Sequence, residues 1–510
     1  MEENWKVTSS SREVELKYEL PADAALPDLN ELPGVTSVTS REHDLEAIYF
    51  DTTDLRLAAN QLTLRRRSGG TDDGWHLKLP KVKGARDELH HPLGRAVRSV
   101  PKDVAVLVSA RTRGRRLRPV VILRTHRTAY ELLGSDGTVQ AEVAVDRVVA
   151  ERLLRGAGSS TWQELEVELV DGDQDFLDQV SAHLEAAGLE LSPAPSKVAR
   201  ALGDRLPSTD EPKLTTSSPA GAVIVERLRV LVDALMNNDP RVRRDLPDSI
   251  HQMRVATRRL RSALRTFRAL FDRSRTDPLR AELRWLAGEL GEARDREVML
   301  ARLEKQIAAE SPELVLGRVP ERVQIRLSRE YREAHDQVLA ELDEARYRQL
   351  LDDLDELIAD PPFRAEAYQP ADEVLPGLVR KSWKRLHTRV QEAEAAETSE
   401  TRDIAMHEAR KEAKQARYAG EAVAPVFGDA AETFAKAMED IQELLGDHQD
   451  SVVTRALLRE LGVQAFLDGE NGFTYGRLHA FEQAKAESLE AEFEKVWQAS
   501  SKKRLRRWLR

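Results

Sequence analysis

The 510-residue chain contains no cysteine. That excludes disulfides, zinc–thiolate sites and a thiol nucleophile. No apolar run is long enough to cross a bilayer, so no membrane partner is expected. The start, Met1-Glu2-Glu3-Asn4-Trp5-Lys6, lacks a basic opening and an apolar stretch behind it. No signal peptide is therefore expected, and the expected location is the cytoplasm. An excess of positive charge is also missing. The 78 Lys and Arg stand against 88 Asp and Glu, a net charge of −10, which argues against a general nucleic-acid coat but leaves room for local basic surfaces. The chain is 41% hydrophobic and 33% charged, the composition of a globular protein long enough for two or more cores.

Residues 8–206 read as strands. In the first, Glu13-Val14-Glu15-Leu16-Lys17-Tyr18, the period of two puts Glu13, Glu15 and Lys17 on one face. A solvated polar face is the simpler reading of that stretch alone. Later strands repeat the habit. They are Leu45 to Thr52, Leu62 to Arg67 closed by Ser68-Gly69-Gly70, Trp75 to Pro80, Val120 to Thr125, Thr128 to Leu133, Val139 to Val149 and Glu164 to Leu169. One helix, Phe176 to Ala187, comes late. About eight antiparallel strands predict a closed barrel.

The charges on those strands are of both signs. Glu164, Glu166 and Glu168 share a face, Asp146 ends the strand before them, and Glu13 and Glu15 add two more carboxylates. Gathered together they would repel unless a cation held them, and hard divalent cations take such oxygen donors. Arg65 and Arg67 share a face, and Lys17, Lys78, Arg86, Arg124 and Arg127 lie on or beside neighbouring strands. Acids and bases inside one barrel make an expensive core without a ligand. A polyanion bridged to carboxylates by a metal would satisfy both sets. His76 and the pair His90-His91 sit near polar loops and are expected to be solvated.

These motifs resemble the CYTH superfamily, the triphosphate tunnel metalloenzymes. The resemblance rests on Glu13-x-Glu15-x-Lys17, Tyr49-Phe50-Asp51-Thr52 with Asp54-Leu55, Leu64-Arg65-x-Arg67, Trp75-x-Leu77-Lys78 and the acidic strand from Glu164 to Leu169, in that order. It implies an antiparallel β-tunnel that hydrolyses triphosphates with Mg²⁺ or Mn²⁺. It further implies Glu13, Glu15 and Lys17 as catalytic residues. Lys17, Arg65, Arg67, Lys78, Arg86, Arg124, Arg127 and Lys197 would hold phosphate. Metal would be held by Glu13, Glu15, Asp146 and two of Glu164, Glu166 and Glu168, a choice left open because a slip of two residues is invisible in the sequence.

Residues 207–219, rich in Pro, Ser and Thr, read as a linker. From 220 to 510 the spacing is helical, predicting an all-α bundle and an α+β multidomain chain. Two helices repeat one pattern. His251, Arg254, Arg258 and Arg261 match His407, Arg410, Lys414 and Arg417 in every offset, and steps of three and four keep each set on one face. Downstream, Leu290-Gly291-x-x-x-Asp295 matches Leu445-Gly446-x-x-x-Asp450. This predicts an internal duplication, about 220–360 and 370–510, with the two halves about a pseudo-twofold axis. Between His251 and Phe271 there is no acid, while Arg254, Arg258, Arg259, Arg261, Arg265 and Arg268 crowd the helix. Such like charges destabilise it unless an external anion offsets them. The second stripe holds Glu408, Glu412 and Glu421 and is partly self-paired. Lys381, Lys384 and Arg385 extend the basic surface on charge alone, and the run Lys502 to Arg507 reads as a solvated helix end.

This half resembles the CHAD domain, the conserved-histidine α-helical domain, which implies binding of inorganic polyphosphate by the eight repeated residues and a second location at polyphosphate granules. The leading expectation joins the halves as an inorganic triphosphatase with a tethered polyphosphate-binding domain. The alternatives are a non-catalytic polyphosphate scaffold and a tunnel acting on a nucleoside or thiamine triphosphate. Nucleic-acid binding ranks last, because no aromatic residue interleaves the stripe between His251 and Arg265.

Overall fold

The computed structural model describes residues 9–21, 24, 26–70, 72–80, 86–94, 99–154, 158–207 and 213–510. The side chains of 9–13, 86 and 399 lie outside that description, as do residues 208–212 of the expected linker. The chain forms two compact units, Met1–Asp210 and Glu211–Arg510.

The first unit is one antiparallel sheet built from β1 (Ser9–Glu13), β2 (Glu15–Glu19), β3 (Ser37–Asp51), β4 (Thr63–Ser68), β5 (Gly74–Lys78), β6 (Arg86–His91), β7 (Arg118–Leu133), β8 (Val139–Arg152), β9 (Ser159–Leu169) and β10 (Glu190–Leu191). The order is β1-β6-β5-β4-β3-β7-β8-β9-β2-β10. Its hydrogen-bond ladder is open, but β1 and β2 are separated by Val14 alone. One run of chain thus pairs with β6 at its start and with β9 at its end. The tunnel is joined by the covalent chain where a ladder was expected to close it.

Period two divides the sheet's residues cleanly. One face is apolar. Tyr18, Val143, Leu165 and Val167 pack under Phe176, Leu177, Val180 and Leu184 of a later helix, while Leu64, Trp75, Leu77 and Leu89 pack under Val104, Leu107 and Val108. Each such side chain, once buried, contributes roughly 1.5–3 kcal/mol. The other face carries the charges. The short helices are α1 (Arg56–Ala59), α2 (Lys102–Val106) and α3 (Ser109–Thr112); α4 (Gln174–Ala186) and α5 (Lys197–Leu202) follow the sheet. The α4 helix covers the apolar face. The α5 helix packs Val198, Ala201 and Leu202 against Ala47, Val121, Leu123, Val148 and Ala150 on the charged side. Ser196 caps α5 by accepting from the Ala199 amide, which sets Lys197 in the first turn.

The second unit is helical: α6 (Ala220–Arg243), α7 (Ser249–Thr266), α8 (Arg273–Ala308), α9 (Val319–Asp343), α10 (Ala345–Ala359), α11 (Ala371–Glu394), α12 (Ser399–Phe427), α13 (Asp429–Leu467) and α14 (Phe473–Ser500). The α9 and α10 helices are separated at Glu344, which is extended (ψ 156°). Between α12 and α13, Gly428 takes φ 57° and ψ −145°, a combination that favours glycine. The run expected as a solvated end is a 3₁₀ segment, Lys503–Leu509, with Arg506 3.5 Å above the Trp383 ring.

Candidate functional sites

The charged face of the sheet encloses a cavity of about 380 Å³. Its wall carries Lys17, Arg65, Arg67, Lys78, Arg127 and Lys197, together with Glu15, Asp72, Glu88, Glu142, Glu166 and Glu168. Among the described residues, six cations and six carboxylates, drawn from seven strands, the turn between β4 and β5, and α5, meet around this space.

The best-paired part is at β7, β8 and β9. Arg127 grips Asp146 with two hydrogen bonds, Nε to Oδ1 at 2.8 Å and Nη2 to Oδ2 at 2.7 Å, and reaches Glu166 Oε2 at 2.7 Å. Lys197 Nζ lies 2.9 Å from Asp146, 2.7 Å from Glu164 and 2.6 Å from Glu166. Lys17 contacts Glu166 and lies 3.2 Å from Glu15. Burial by itself raises the Asp146 pKa, but Lys197 and Arg127 outweigh it and hold the carboxyl below its usual range. Burial likewise opposes ionised Glu166, and Lys17, Lys197 and Arg127 hold it well below. Glu168 shows the opposite balance: burial, then Glu166, Glu15 and Glu88, push its pKa up against the pull of Lys78. Arg67 is pushed down to about 10 by burial and by Arg65 and Arg127.

Of the residues named from sequence, Glu15, Lys17, Arg65, Arg67, Lys78, Arg127, Glu166, Glu168 and Lys197 stand on the wall. Asp146 and Glu164 lie behind it, beneath Lys197, and Glu164 also accepts from Trp162 Nε1 at 2.5 Å. Glu13 pairs with Arg86 in the β1–β6 register, and both side chains lie outside the described residues. Arg124 is a correction. It is three residues from Arg127, an odd step that turns it to the other face, where it meets Glu46 (3.0 Å) and Glu151 (3.4 Å). His76 is a second correction: it is 3% exposed, not solvated. Sequence reasoning missed Glu88 and Glu142. The alternation Arg86-x-Glu88 marks the unread strand β6, and Glu142-x-Ala144-x-Asp146 puts Glu142 on the face of Asp146.

The donor set fits a hard divalent cation. Glu15, Glu166 and Glu168 offer carboxylate oxygens, and burial, with Glu166, Glu15 and Glu88 adding to it, raises the Glu168 pKa, a cost that a bound cation would offset. Oxygens of Asp146, Glu164 and Glu166 also lie within 4.8 Å of one another, but the Lys197 ammonium already bridges them.

In the second unit, α7, α8 and α12 line a groove of about 660 Å³. Nine Arg and Lys side chains, Arg254, Arg258, Arg261, Arg265, Arg280, Arg284, Arg410, Lys411 and Lys414, share it with His407 and one carboxylate, Asp277. Asp277 is bonded to Arg280 at 2.7 Å. Lys414 is pushed down to about 6 by burial and by Arg258, Arg410 and Arg254. The repeated Leu-Gly motifs have a physical role. A Cβ on Gly291 would stand 3.3 Å from the Arg254 guanidinium, and one on Gly446 would stand 3.4 Å from that of Arg410. Each glycine leaves room for a groove arginine to lie across it toward an aspartate, Arg254 to Asp295 at 2.9 Å and Arg410 to Asp450 at 3.9 Å.

Six of the eight sequence-named residues line the groove. His251 does not, and Arg417 turns instead to Glu421 and Glu439, at 2.7 Å each. Arg261, its counterpart by offset, meets Arg284, Arg258, Arg265 and Arg280, and with burial they lower its pKa. Arg385 is held by Glu412 at 3.2 Å. The missed contributors are Lys411 of α12 and Arg280 and Arg284 of α8; no local pattern announces the approach of the last two.

Family models for the CYTH domain and the CHAD domain match residues 11–202 and 226–459. The uncharacterized protein MT2285 of Mycobacterium tuberculosis is 36% identical over 517 residues, covering 96% of this chain and 98% of its own. Among solved structures, the CHAD domain from Ricinus communis aligns with TM-score 0.44 at 22% identity, over 59% of this chain and 97% of that one. The Hippeastrum protein HpAC1, described as a putative adenylyl cyclase with a dominant triphosphatase activity, aligns with TM-score 0.23 at 19% identity, over 37% and 93%. With its tunnel of opposed charges and its basic helical groove, this chain belongs to the family that joins an N-terminal CYTH domain to a C-terminal CHAD domain.

Proposed function

We propose that the tunnel hydrolyses inorganic triphosphate with Mg²⁺ or Mn²⁺, and that the helical groove binds inorganic polyphosphate. The observation that carries the first part is the cavity wall itself, where cations stand on β4, β5 and β7 and the acidic set of Glu15, Glu166 and Glu168 stands on β2 and β9. Arg65, Arg67, Lys78 and Arg127 take phosphoryl oxygens; guanidinium forks suit that task, and neutralising the oxygens lowers the cost of attack by water. Lys17, positioned by Glu15 and Glu166, holds the terminal phosphoryl group near the acidic set. Glu15, Glu166 and Glu168 would hold the cation, which when bound polarises phosphoryl oxygen and activates water. Glu13 and Arg86, adjacent in register, would join the acidic and the phosphate-binding sets. Lys197 and Arg127 keep Asp146 ionised at neutral pH, and Lys17, Lys197 and Arg127 do the same for Glu166.

For the groove, nine cations outnumber the carboxylates that pair with them, Asp277, Asp295, Glu408, Glu412 and Asp450, and this excess favours a long anion. Tethering through the 207–219 linker would raise the local concentration of whatever the groove holds. The test is phosphate release from inorganic triphosphate with Mg²⁺ or Mn²⁺, comparing wild type with Glu13→Gln/Glu15→Gln. Release that vanishes in the double variant supports the hydrolase. No release from it, from ATP or from thiamine triphosphate leaves the polyphosphate-binding scaffold.

A further inference from the structure

Helix α13 is apolar on two opposite sides, and the bundle covers one of them. On the covered side, Leu458, Leu461 and Ala465 pack with Leu303 of α8, Leu327 of α9 and Leu478 of α14. The other side is a seam of Val453, Ala456, Glu460, Val463 and Leu467. Alternating steps of three and four keep these five on one line along the helix, and Leu458 and Ala465 fall at the position of that repeat furthest from it. All five are exposed, Val453 at 47%, Val463 at 56% and Leu467 at 70%, and Phe466 beside them at 75%. Phe473, 48% exposed, opens α14 next to the seam. It follows Gly472, where a Cβ would stand 3.5 Å from the Gly462 carbonyl oxygen. An apolar stripe on a helix is normally the side it buries; among the described residues nothing covers this one.

We propose that this seam is the interface of a two-fold dimer, in which α13 packs on α13 of a second copy of the chain. Three observations select that occupant. The first is area. With Phe466 and Phe473 the seam bares on the order of 500 Å² of apolar surface. A standard interface buries about 800 Å² a side, roughly two-thirds of it apolar in homodimers, so the seam supplies the apolar share. The second is charge. Glu460 is bonded to Arg326 at 2.5 Å, and Asp468 at the end of the seam contacts Arg322. These pairs are neutralised within one copy, so they favour neither a strongly acidic or basic partner nor an anionic lipid surface. The third is spacing. A seam that repeats every seven residues takes a helix with the same repeat, and α13 is such a helix in every copy. Glu460 stands midway between Val453 and Leu467, so a two-fold axis at the middle of the seam brings it to its own counterpart. The Arg326 of each copy offsets the repulsion between the two carboxylates.

The test is the mass of the full chain in solution by sedimentation equilibrium, for wild type, Val463→Glu/Leu467→Glu and Phe466→Glu. The wild type is expected as a dimer. Both variants are expected to raise the dissociation constant at least about 100-fold, because each puts carboxylates into an apolar contact. Their helical circular dichroism should match the wild type, since the altered positions are exposed. A wild type that stays monomeric at every attainable concentration overturns the inference and leaves the seam to a different protein. A dimer that both variants leave intact also overturns it, because another surface then joins the copies. A second measurement does not depend on the charged variants. The chain has no cysteine, so Glu460→Cys puts a single thiol at the middle of the seam, and Gln483→Cys puts one on an exposed turn of α14. Mild oxidation should cross-link copies through Glu460→Cys about tenfold faster than through Gln483→Cys. Equal rates overturn the inference. None of these readouts involves turnover or polyphosphate, so each outcome stands apart from the functional readings of the tunnel and the groove.

Discussion

Arg127 and Asp146 face each other across neighbouring strands with two parallel hydrogen bonds, and Asp146 is wholly buried. Removing the carboxylate strands Arg127 and Lys197 in the interior. Asp146→Ala should destabilise the first unit by about 3–5 kcal/mol, read as a lower Tm of the β-sheet transition in the full chain. Asp146 and Glu166 have depressed pKa values in the fold. Their stabilisation is complete above the unfolded carboxylate range and is lost as pH falls through the folded values. An acid titration should therefore unfold the first unit below roughly pH 4.

Glu168 runs the other way. Its folded pKa is raised, so its ionisation costs stability as pH rises through the unfolded value toward the folded one. Glu168→Gln should keep or raise the Tm of the metal-free protein at pH 7. It should also weaken Mg²⁺ or Mn²⁺ binding about tenfold, measured as a smaller metal-induced rise in Tm.

Lys414, with a pKa of about 6, is mostly neutral at pH 7.5 in the empty groove. A bound polyanion raises that pKa, so binding should take up close to one proton at that pH and weaken as pH rises above 6. Calorimetry in two buffers of different ionisation enthalpy measures the uptake. Lys414→Met should abolish it.

Arg261→Ala should weaken polyphosphate binding about tenfold and lower the salt dependence of the affinity, because Arg261 stands on the groove wall. Arg417→Ala should change it less than threefold, because Glu421 and Glu439 already hold that guanidinium. A binding titration at two salt concentrations compares them.

Arg124→Ala should change phosphate release less than twofold. Arg124 is on the outer face, and its ion pairs to Glu46 and Glu151 are exposed, worth about 0–1 kcal/mol.

Period two made Glu15, Lys17, Arg65, Arg67, Glu166 and Glu168 legible as members of charged faces, because a strand's geometry fixes the side of each residue once one is known. The same rule, applied to the step from Arg124 to Arg127, would have excluded Arg124. Glu88 was missed because β6 went unread, although the alternation Arg86-x-Glu88 and its pairing with nearby β5 mark it. The burial of His76 depends on β4 and β6 flanking β5, which no local pattern contains.

The amino-acid order by itself determined the strand and helix periods, the two repeated motifs of the helical half and the charge of each face, since these follow from local backbone geometry. Only the tertiary structure decided which charges meet. Lys197, on a helix after the last long strand, comes to neutralise Asp146, Glu164 and Glu166 because α5 packs its apolar side into the tunnel. Arg417 leaves the groove that Arg261 keeps because Glu439 reaches it from another helix. Pairing across long loops is set by packing and by the cost of leaving a buried charge alone, and neither is written in the spacing of neighbours.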